Sequence, residues 1–233
     1  MGANLIIFCA GAAKAALAGP LAGFELLTGV KPVVIYGTTG ALQERLESGE
    51  PADVFIAGRP ALEQLAAAGT IEGATLADLG RVGVGLAVRR STDRLPDVST
   101  VAALREALLE APSLSYGDPQ GGDSSGKHFQ SVLETLGIAD KVRTKTLLAP
   151  LGLAVAEYVS TGQAALGATQ SSVILANPGV VLAGMLPESL QHYTTYSYGL
   201  VRSAPNLEGA MQIVRHLSAP PSIESFARTG FAQ

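Results

Sequence analysis

The chain has 233 residues, which exceeds the usual size of one domain and suits two compact lobes. Hydrophobic residues make up 47% of it and charged residues 15%, so a sizeable core is expected and a disordered chain is excluded. The net charge of −4, without any basic tract, excludes a typical nucleic-acid surface. No apolar stretch reaches the ~18 residues that a membrane span needs, so membrane insertion is not expected.

The first residues of the chain lead directly into an apolar run. Residues 1–4 are not a basic segment followed by a long apolar one, as in a signal peptide. The chain as written is therefore expected to be cytoplasmic, and periplasmic if it is a trimmed mature form. Cys9 is the single cysteine and is predicted to be a buried small hydrophobic residue, with a reactive thiol as the alternative.

Short β-branched runs alternate with helical stretches in the first third of the chain. The predicted strands are 5–8, 33–36 and 54–57, and the helices that follow them are 12–27, bent at Pro20, then 39–47 and 60–68. This alternation predicts a parallel sheet covered by helices on both faces. In such sheets ligands bind at the carboxyl ends of the strands.

A long apolar run, 81–90, has the character of a strand that crosses from one lobe to the next. A second set follows, with predicted strands at 114–116, 145–148, 165–168 and 180–183, and helices at 101–109, 126–136 and 153–160. The β-like run 194–201 carries the chain back to terminal helices at 206–217 and 222–229. The prediction is an α/β fold with two lobes, each a mainly parallel sheet flanked by helices. The lobes are 1–81 with 199–233, and 82–198, and a two-stranded hinge joins them.

Four loops lie between a predicted strand and the helix that follows it: 9–12, 37–40, 57–60 and 118–128. Each presents backbone N–H groups at a helix N-terminus, which favours anions. Small residues such as Gly11 allow a ligand to approach the backbone. Thr38, Thr39, Ser124 and Ser125 add hydroxyl donors, with ordinary helix capping as the alternative interpretation.

Cationic and titratable residues also lie in these loops. Lys14 is in the first turn of a helix, where a cation opposes the helix dipole, so either a bound carboxylate or simple solvent exposure is expected. Arg59 is a second candidate cation, with exposure as the alternative. His128 is placed in the first turn of a helix, where it could contact a ligand, transfer a proton or face solvent.

Several kinds of site are excluded by spacing. The segment 120–127 lacks the first glycine of a phosphate-binding loop, and His128 stands where the metal-binding Ser or Thr would be. No histidine pair has the spacing of metal ligands, and the nucleophile-elbow motif is absent. No metal or other cofactor is therefore expected.

Six segments of the chain match one known family: Ile7–Ala12, Phe24–Val30, Gly37–Leu42, Gly49–Ile56, Asp118-Pro119 with Gly126, and Thr229–Phe231. On these segments the chain resembles the molybdate-binding proteins of ABC importers, and more closely a divergent branch of substrate-binding proteins. The resemblance covers nearly the whole chain. It implies a periplasmic-binding-protein-like fold of type II with a small anion in the interlobe cleft and, for an exported protein, an ABC permease as partner.

The resemblance also implies which residues contact the ligand. The family's first-loop serine is replaced here by Ala12, after Gly11, and its second-loop serine by Thr39. The turn Ser124-Ser125-Gly126 replaces Pro-Ala-Gly, and Gln170, close to Ser172, replaces the tyrosine that closes over the oxyanion. Two hydroxyl donors are thus absent.

Cationic groups at the same loops favour a different anion. Lys14, Lys127 and His128 suit carboxylates, because charge-assisted hydrogen bonds are the stronger kind. The expected ligand is a small di- or tricarboxylate.

The same branch includes aconitate-isomerase-like proteins, which implies a second function. Such an enzyme moves a double bond and a proton within a tricarboxylic acid, and it needs an acid–base group beside cations that hold carboxylates. If the chain is an enzyme, His128 or Lys14 is the expected base, with Thr39, Ser124 and Ser125 holding carboxylates. Three alternatives stay open: a binder of organic anions, a cofactor-free isomerase, and a molybdate or tungstate binder.

Overall fold

The chain folds into two units, and its structure, a computed structural model, describes residues 4–232. One unit holds the described residues up to Arg81 together with those from Thr194 onward, and the other holds Val82–Tyr193. The chain therefore passes from one unit to the other twice. The predicted boundary at 198/199 lies later in the chain than the second of these passages.

The strands and helices of residues 4–232 alternate in the predicted manner. In chain order the strands are β1 (Ile6–Ala10), β2 (Val33–Gly37), β3 (Val54–Gly58), β4 (Ala77–Arg89), β5 (Leu114–Gly117), β6 (Thr146–Ala149), β7 (Leu166–Gln170), β8 (Val180–Met185) and β9 (Tyr193–Leu200). The helices are α1 (Lys14–Thr28), α2 (Thr39–Glu47), α3 (Arg59–Ala67), α4 (Val101–Glu110), α5 (Ser124–Thr135), α6 (Ala139–Arg143), α7 (Gly152–Thr161), α8 (Ser171–Ala176), α9 (Leu207–Leu217) and α10 (Pro220–Arg228). Short 3-10 turns occupy 11–13, 73–75 and 188–190.

In the first unit the strands lie in the order β2-β1-β3-β9. The central strand β1 is parallel to β2 and β3, whereas β9 returns antiparallel to β3. Phe8 of β1 and Phe55 of β3 pack with Leu42 of α2 and Leu62 of α3 in a buried core. The parallel strands place the loops after β1, β2 and β3 at one edge of the sheet.

In the second unit the order is β4-β7-β5-β6, and β8 pairs with β4 as well. Here β5 is parallel to β6 and β7, and β4 is antiparallel to β7 and β8. Tyr116 of β5 packs on Phe129 of α5 with their rings 5.4 Å apart, inside a core that includes Leu114 and Val132. The α/β fold with helices flanking a sheet is confirmed. The sheet is mainly parallel in the first unit, as predicted, but mixed in the second, where two strand pairs are parallel and two are antiparallel.

Local signals explain where several helices begin and end. Helix α2 has its predicted bounds, because the Thr38 side chain accepts a hydrogen bond from the Ala41 amide and Gly49 takes a left-handed conformation just after the helix. Helix α5 starts at Ser124 rather than at the predicted Gly126, since Asp123 caps it. Helix α1 starts at Lys14 rather than at residue 12, because residues 11–13 form a 3-10 turn.

Two helices, α6 and α8, are not predicted from the sequence. They span Ala139–Arg143 and Ser171–Ala176, which is too short for an apolar periodicity to show. Helix α1, by contrast, is long and runs through Pro20 without interruption. Among residues 4–232, no helix combines the length and apolar character needed to cross a bilayer.

Candidate functional site

The first candidate loop follows β1 and leads into α1. Gly11 is buried and Ala12 is half-buried in the 3-10 turn, and Lys14 is the exposed first residue of α1. No side chain caps this helix, and no acidic residue lies in its first turn. The positive end of the helix dipole is thus offset by no local negative charge.

The Lys14 ammonium lies against an aromatic ring. Its Nζ atom is 5.2 Å from the ring centroid of Tyr36, which lies near the end of β2. Among the described residues, no carboxylate forms an ion pair with Lys14. Burial, with a smaller contribution from Cys9, raises the pKa of Tyr36 to about 12, so its phenol stays neutral at physiological pH.

The second candidate loop contains two threonines with different roles. Thr38 is buried, and its hydroxyl oxygen accepts from the Ala41 amide at 3.2 Å, as the capping interpretation predicts. Thr39 is the half-buried first residue of α2, and its hydroxyl makes no hydrogen bond within residues 4–232. Since Ala10 and Gly37 are direct partners in the parallel β1–β2 pair, this loop lies beside the Lys14 loop.

Arg59, in the third loop, is already paired within the protein. Its Nε donates to Glu63 at 2.9 Å and its Nη1 donates to Asp78 at 2.7 Å. These hydrogen bonds raise the pKa of Arg59, that to Asp78 more than that to Glu63. Asp78 also accepts from the Ser197 hydroxyl at 2.5 Å. The two carboxylates neutralise the guanidinium, so Arg59 is not proposed as a cation that contacts the ligand.

In the second unit, Asp123 occupies the N-termini of two helices. Its Oδ1 accepts from the Ser125 hydroxyl and the Gly126 amide, each at 2.7 Å, and its Oδ2 accepts from the Gly152 amide at 2.9 Å. The protein's own carboxylate therefore uses the donors of Ser125 and Gly126 that the sequence suggested for a ligand. An Asp just before a helix is a recognisable sequence signal for an N-cap. The hydrogen bond that Asp123 accepts from the first residue of α7 cannot be predicted from the sequence.

Ser124 and Lys127 are two candidate members of the fourth loop that keep open side-chain donors. Ser124 is half-buried at the start of α5, and Lys127 is exposed. Within the described residues the Ser124 hydroxyl makes no hydrogen bond and the Lys127 ammonium makes no ion pair. Both stay candidates for contact with an anion.

His128 lies beyond the first turn of α5, because the helix starts earlier than predicted. Its Nε2 atom is 2.8 Å from the carbonyl oxygen of Leu190, and since a carbonyl can only accept, Nε2 carries the proton. The His192 ring is 5.2 Å away, and burial together with His128 lowers the pKa of His192. His128 thus joins α5 to the segment that precedes β9.

Gln170 and Ser172 lie where β7 ends and α8 begins. Both are buried, as are their chain neighbours Thr169 and Ser171. Because Tyr116 and Ala168 are partners in the parallel β5–β7 pair, this segment and the loop after β5 lie at the same edge of the sheet. The second unit therefore gathers Ser124, Lys127, Gln170 and Ser172 at the carboxyl ends of its parallel strands.

Other candidate chemistry is limited. Cys9 is buried, burial raises the pKa of its thiol, and its sulfur lies 3.3 Å from the carbonyl oxygen of Ala10, as expected of a small core residue. In residues 4–232, no cluster of three or more His, Cys, Asp or Glu side chains is placed to hold a metal ion.

Comparison with known proteins relates this fold and these loops to one family. A family model described as bacterial extracellular solute-binding protein matches residues 5–232. The chain belongs to this family. Aconitate isomerase from a Pseudomonas species is 30% identical over 213 residues, which cover 89% of this chain and 79% of that protein.

Molybdate-binding proteins are similar as well. The molybdate-binding protein ModA of Escherichia coli strain K12 is 25% identical over 98% of this chain and 88% of its own. The solved structure of the periplasmic molybdate-binding protein of Azotobacter vinelandii has a TM-score of 0.84 at 18% identity, and the match covers 99% of both chains. The α/β periplasmic-binding fold expected from the resemblance is confirmed.

Proposed function

We propose that this solute-binding protein binds a small organic di- or tricarboxylate. The observation that carries the proposal is Lys14, a cation at the uncapped N-terminus of α1 with no carboxylate partner among residues 4–232. A ligand carboxylate at this point would interact favourably with both the ammonium and the helix dipole. The open Thr39 hydroxyl lies in the adjacent loop and adds a neutral donor.

The second unit supports a carboxylate rather than a compact oxyanion. A tetrahedral oxyanion needs a close shell of neutral donors, but the donors of Ser125 and Gly126 already bind Asp123. Open donors of this loop include the Ser124 hydroxyl and the cation Lys127. For an exported protein, an ABC permease is the proposed partner, because a relative from Bacillus subtilis is named a putative ABC transporter substrate-binding lipoprotein.

Replacing Lys14 with methionine is expected to weaken tricarboxylate binding about tenfold to a hundredfold, because a charge-assisted hydrogen bond contributes about 1.5–3 kcal/mol. Isothermal titration calorimetry with tricarballylate, citrate and trans-aconitate measures this loss. Lys31→Met is the matched control, since Lys31 is exposed and precedes β2, at the opposite edge of the sheet. Thermal stabilisation by micromolar molybdate or tungstate, with none by carboxylates, would overturn the proposal.

A second candidate function is isomerisation of an unsaturated tricarboxylate without a cofactor. The relative named aconitate isomerase, at 30% identity, favours it. Lys14 and His128 both stay candidates for the group that transfers the proton. The Lys14 ammonium has no ion-pair partner among residues 4–232, and the donation from His128 Nε2 to Leu190 leaves Nδ1 as the ring's acceptor.

If the chain is an isomerase, it converts cis-aconitate to trans-aconitate, and Lys14→Met abolishes the conversion while Lys31→Met does not. Proton NMR of the reaction in D2O follows the double bond and the exchanged proton together. His128→Ala tests the other candidate base. An absence of double-bond migration across a panel of unsaturated di- and tricarboxylic acids would exclude the enzyme and leave the binding proposal standing.

A further inference from the structure

Tyr36 is a residue that neither the sequence patterns nor the family resemblance singles out. It lies in β2, directly opposite Cys9 of β1, so the two side chains leave the same face of the sheet. Its ring is half-buried, and Lys14 Nζ lies 5.2 Å from the ring centroid. That distance is within the ~6 Å at which a cation is attracted to an aromatic face.

We infer that Tyr36 is a positioning residue, whose ring holds the Lys14 ammonium at the edge of the sheet for a ligand carboxylate. This inference rests on the proposed carboxylate binding: Tyr36 would raise the affinity for the carboxylate by acting through Lys14.

The physical need for such a residue comes from the position of Lys14. The dipole of α1 repels an ammonium from the helix N-terminus, and no acidic residue of the first turn compensates. A lysine side chain is also flexible, so its free ammonium samples many positions. The negative face of the Tyr36 ring attracts the ammonium, which offsets the repulsion by the dipole and restricts the Lys14 side chain. The side chain therefore loses less conformational entropy when the ligand binds.

Other cations of the first unit do not share this arrangement. Arg59 is neutralised by Glu63 and Asp78. Arg45 also lies over a ring, that of Phe8 at 5.1 Å, but its guanidinium pairs with Glu50. Lys14 thus combines an aromatic support with an uncompensated charge, which leaves the ammonium available to an external anion.

The Tyr36 hydroxyl offers a competing explanation that substitution can separate. A neutral phenol could itself donate to the ligand, and then loss of the hydroxyl alone would weaken binding. If the ring acts through Lys14, Tyr36→Phe keeps the effect and Tyr36→Leu removes it.

The test uses tricarballylate, a saturated tricarboxylate that cannot isomerise, and measures its dissociation constant by calorimetry. Tyr36→Phe is expected to bind within about twofold of the parent protein, and Tyr36→Leu about two- to fivefold more weakly, the size of a partly exposed cation–π contact. The double variant Tyr36→Leu, Lys14→Met is expected to bind no more weakly than Lys14→Met alone, because the ring acts only through the ammonium.

Each other outcome overturns the inference. If Tyr36→Leu binds tricarballylate as tightly as the parent protein, the ring has no role. If Tyr36→Phe and Tyr36→Leu lose the same affinity, the hydroxyl and not the ring contacts the ligand. If the losses add in the double variant, the ring acts independently of Lys14. Melting temperatures without ligand check folding, and Tyr36→Met replaces Tyr36→Leu if the latter is unfolded. If the parent protein binds no carboxylate at all, that result contradicts the proposed function itself.

Discussion

Replacing Asp53 with alanine is expected to lower the free energy of unfolding by about 3–5 kcal/mol, because two part-buried amides lose their buried acceptor. Asp53 is fully buried. Its Oδ2 accepts from the Ile6 amide and its Oδ1 from the Asn206 amide, each at 2.7 Å. One carboxylate thus connects the start of β1 to the start of α9, and Asn206 lies 153 positions after Asp53 in the chain.

The measurement is urea denaturation followed by circular dichroism, with hydrogen exchange to locate the loss. Amides of β1, β3 and α9 should lose protection before those of the second unit. Asp97→Ala is the matched control, because Asp97 also accepts two hydrogen bonds, both from Ser99, but is exposed. We expect it to cost less than about 1 kcal/mol. Similar losses in the two variants would contradict the assigned role of Asp53.

Asp53 belongs to the segment Gly49–Ile56, one of the six segments on which the chain resembles the molybdate-binding family. Asp53 stands at its centre and contacts no candidate ligand residue; its side chain joins distant parts of one unit. Through Asp53, this segment therefore contributes to the fold of the first unit. The candidate ligand contacts lie instead in the loops after the strands.

Much of the fold could be predicted because local and tertiary signals agree. Strands and helices alternate as short apolar runs and capped segments, and α2 has its predicted bounds because Thr38 and Gly49 mark both ends. The antiparallel direction of β9 and of β4 has no local signal, since it depends on where the chain crosses between units. The short helices α6 and α8 hold too few residues to show a period.

The candidate site was less predictable than the fold. The predicted strands and helices put Lys14 and Thr39 at the starts of the helices after two strands, and the structure shows that these strands are parallel neighbours. The ion pair of Arg59 with Glu63 can be predicted from the i,i+4 spacing of the two residues. The second partner of Arg59, Asp78, cannot, because it is 19 residues away. The contact of Lys14 with Tyr36 depends on the register of β1 with β2, which spacing alone does not give.

Asp123 shows the same limit in the second unit. Its position before Ser124 indicates a helix cap, but the hydrogen bond from Gly152 comes from 29 positions further on. A glycine-rich loop with serines therefore suggested a ligand cradle. In the structure, the donors of Ser125 and Gly126 in that loop bind the carboxylate of Asp123 instead.

Gly126→Ala is expected to be the most damaging small substitution in the second unit. A β-carbon at this position would lie 1.9 Å from the carbonyl oxygen of Gly117, far inside contact distance. Both sides of this contact are backbone, the first turn of α5 and the last residue of β5, so no side-chain rotation relieves it. We expect a loss of at least about 3 kcal/mol in the free energy of unfolding, since overpacking of backbone forces the helix off the sheet.

Gly121→Ala is the matched control, because a β-carbon there meets no atom closer than 3.5 Å and the loop is exposed. Hydrogen exchange should show lost protection in α5, β5 and α7, since moving α5 also separates Asp123 from Gly152. The first unit, with its Lys14 loop, should keep its protection. Tricarballylate binding separates two roles for this loop: if Gly126→Ala folds and binds as the parent does, the approach of α5 to β5 serves stability alone. If the affinity falls by more than the loss of folded protein explains, the cause is the displacement of Ser124 and Lys127 with helix α5. The second unit then contributes directly to carboxylate recognition.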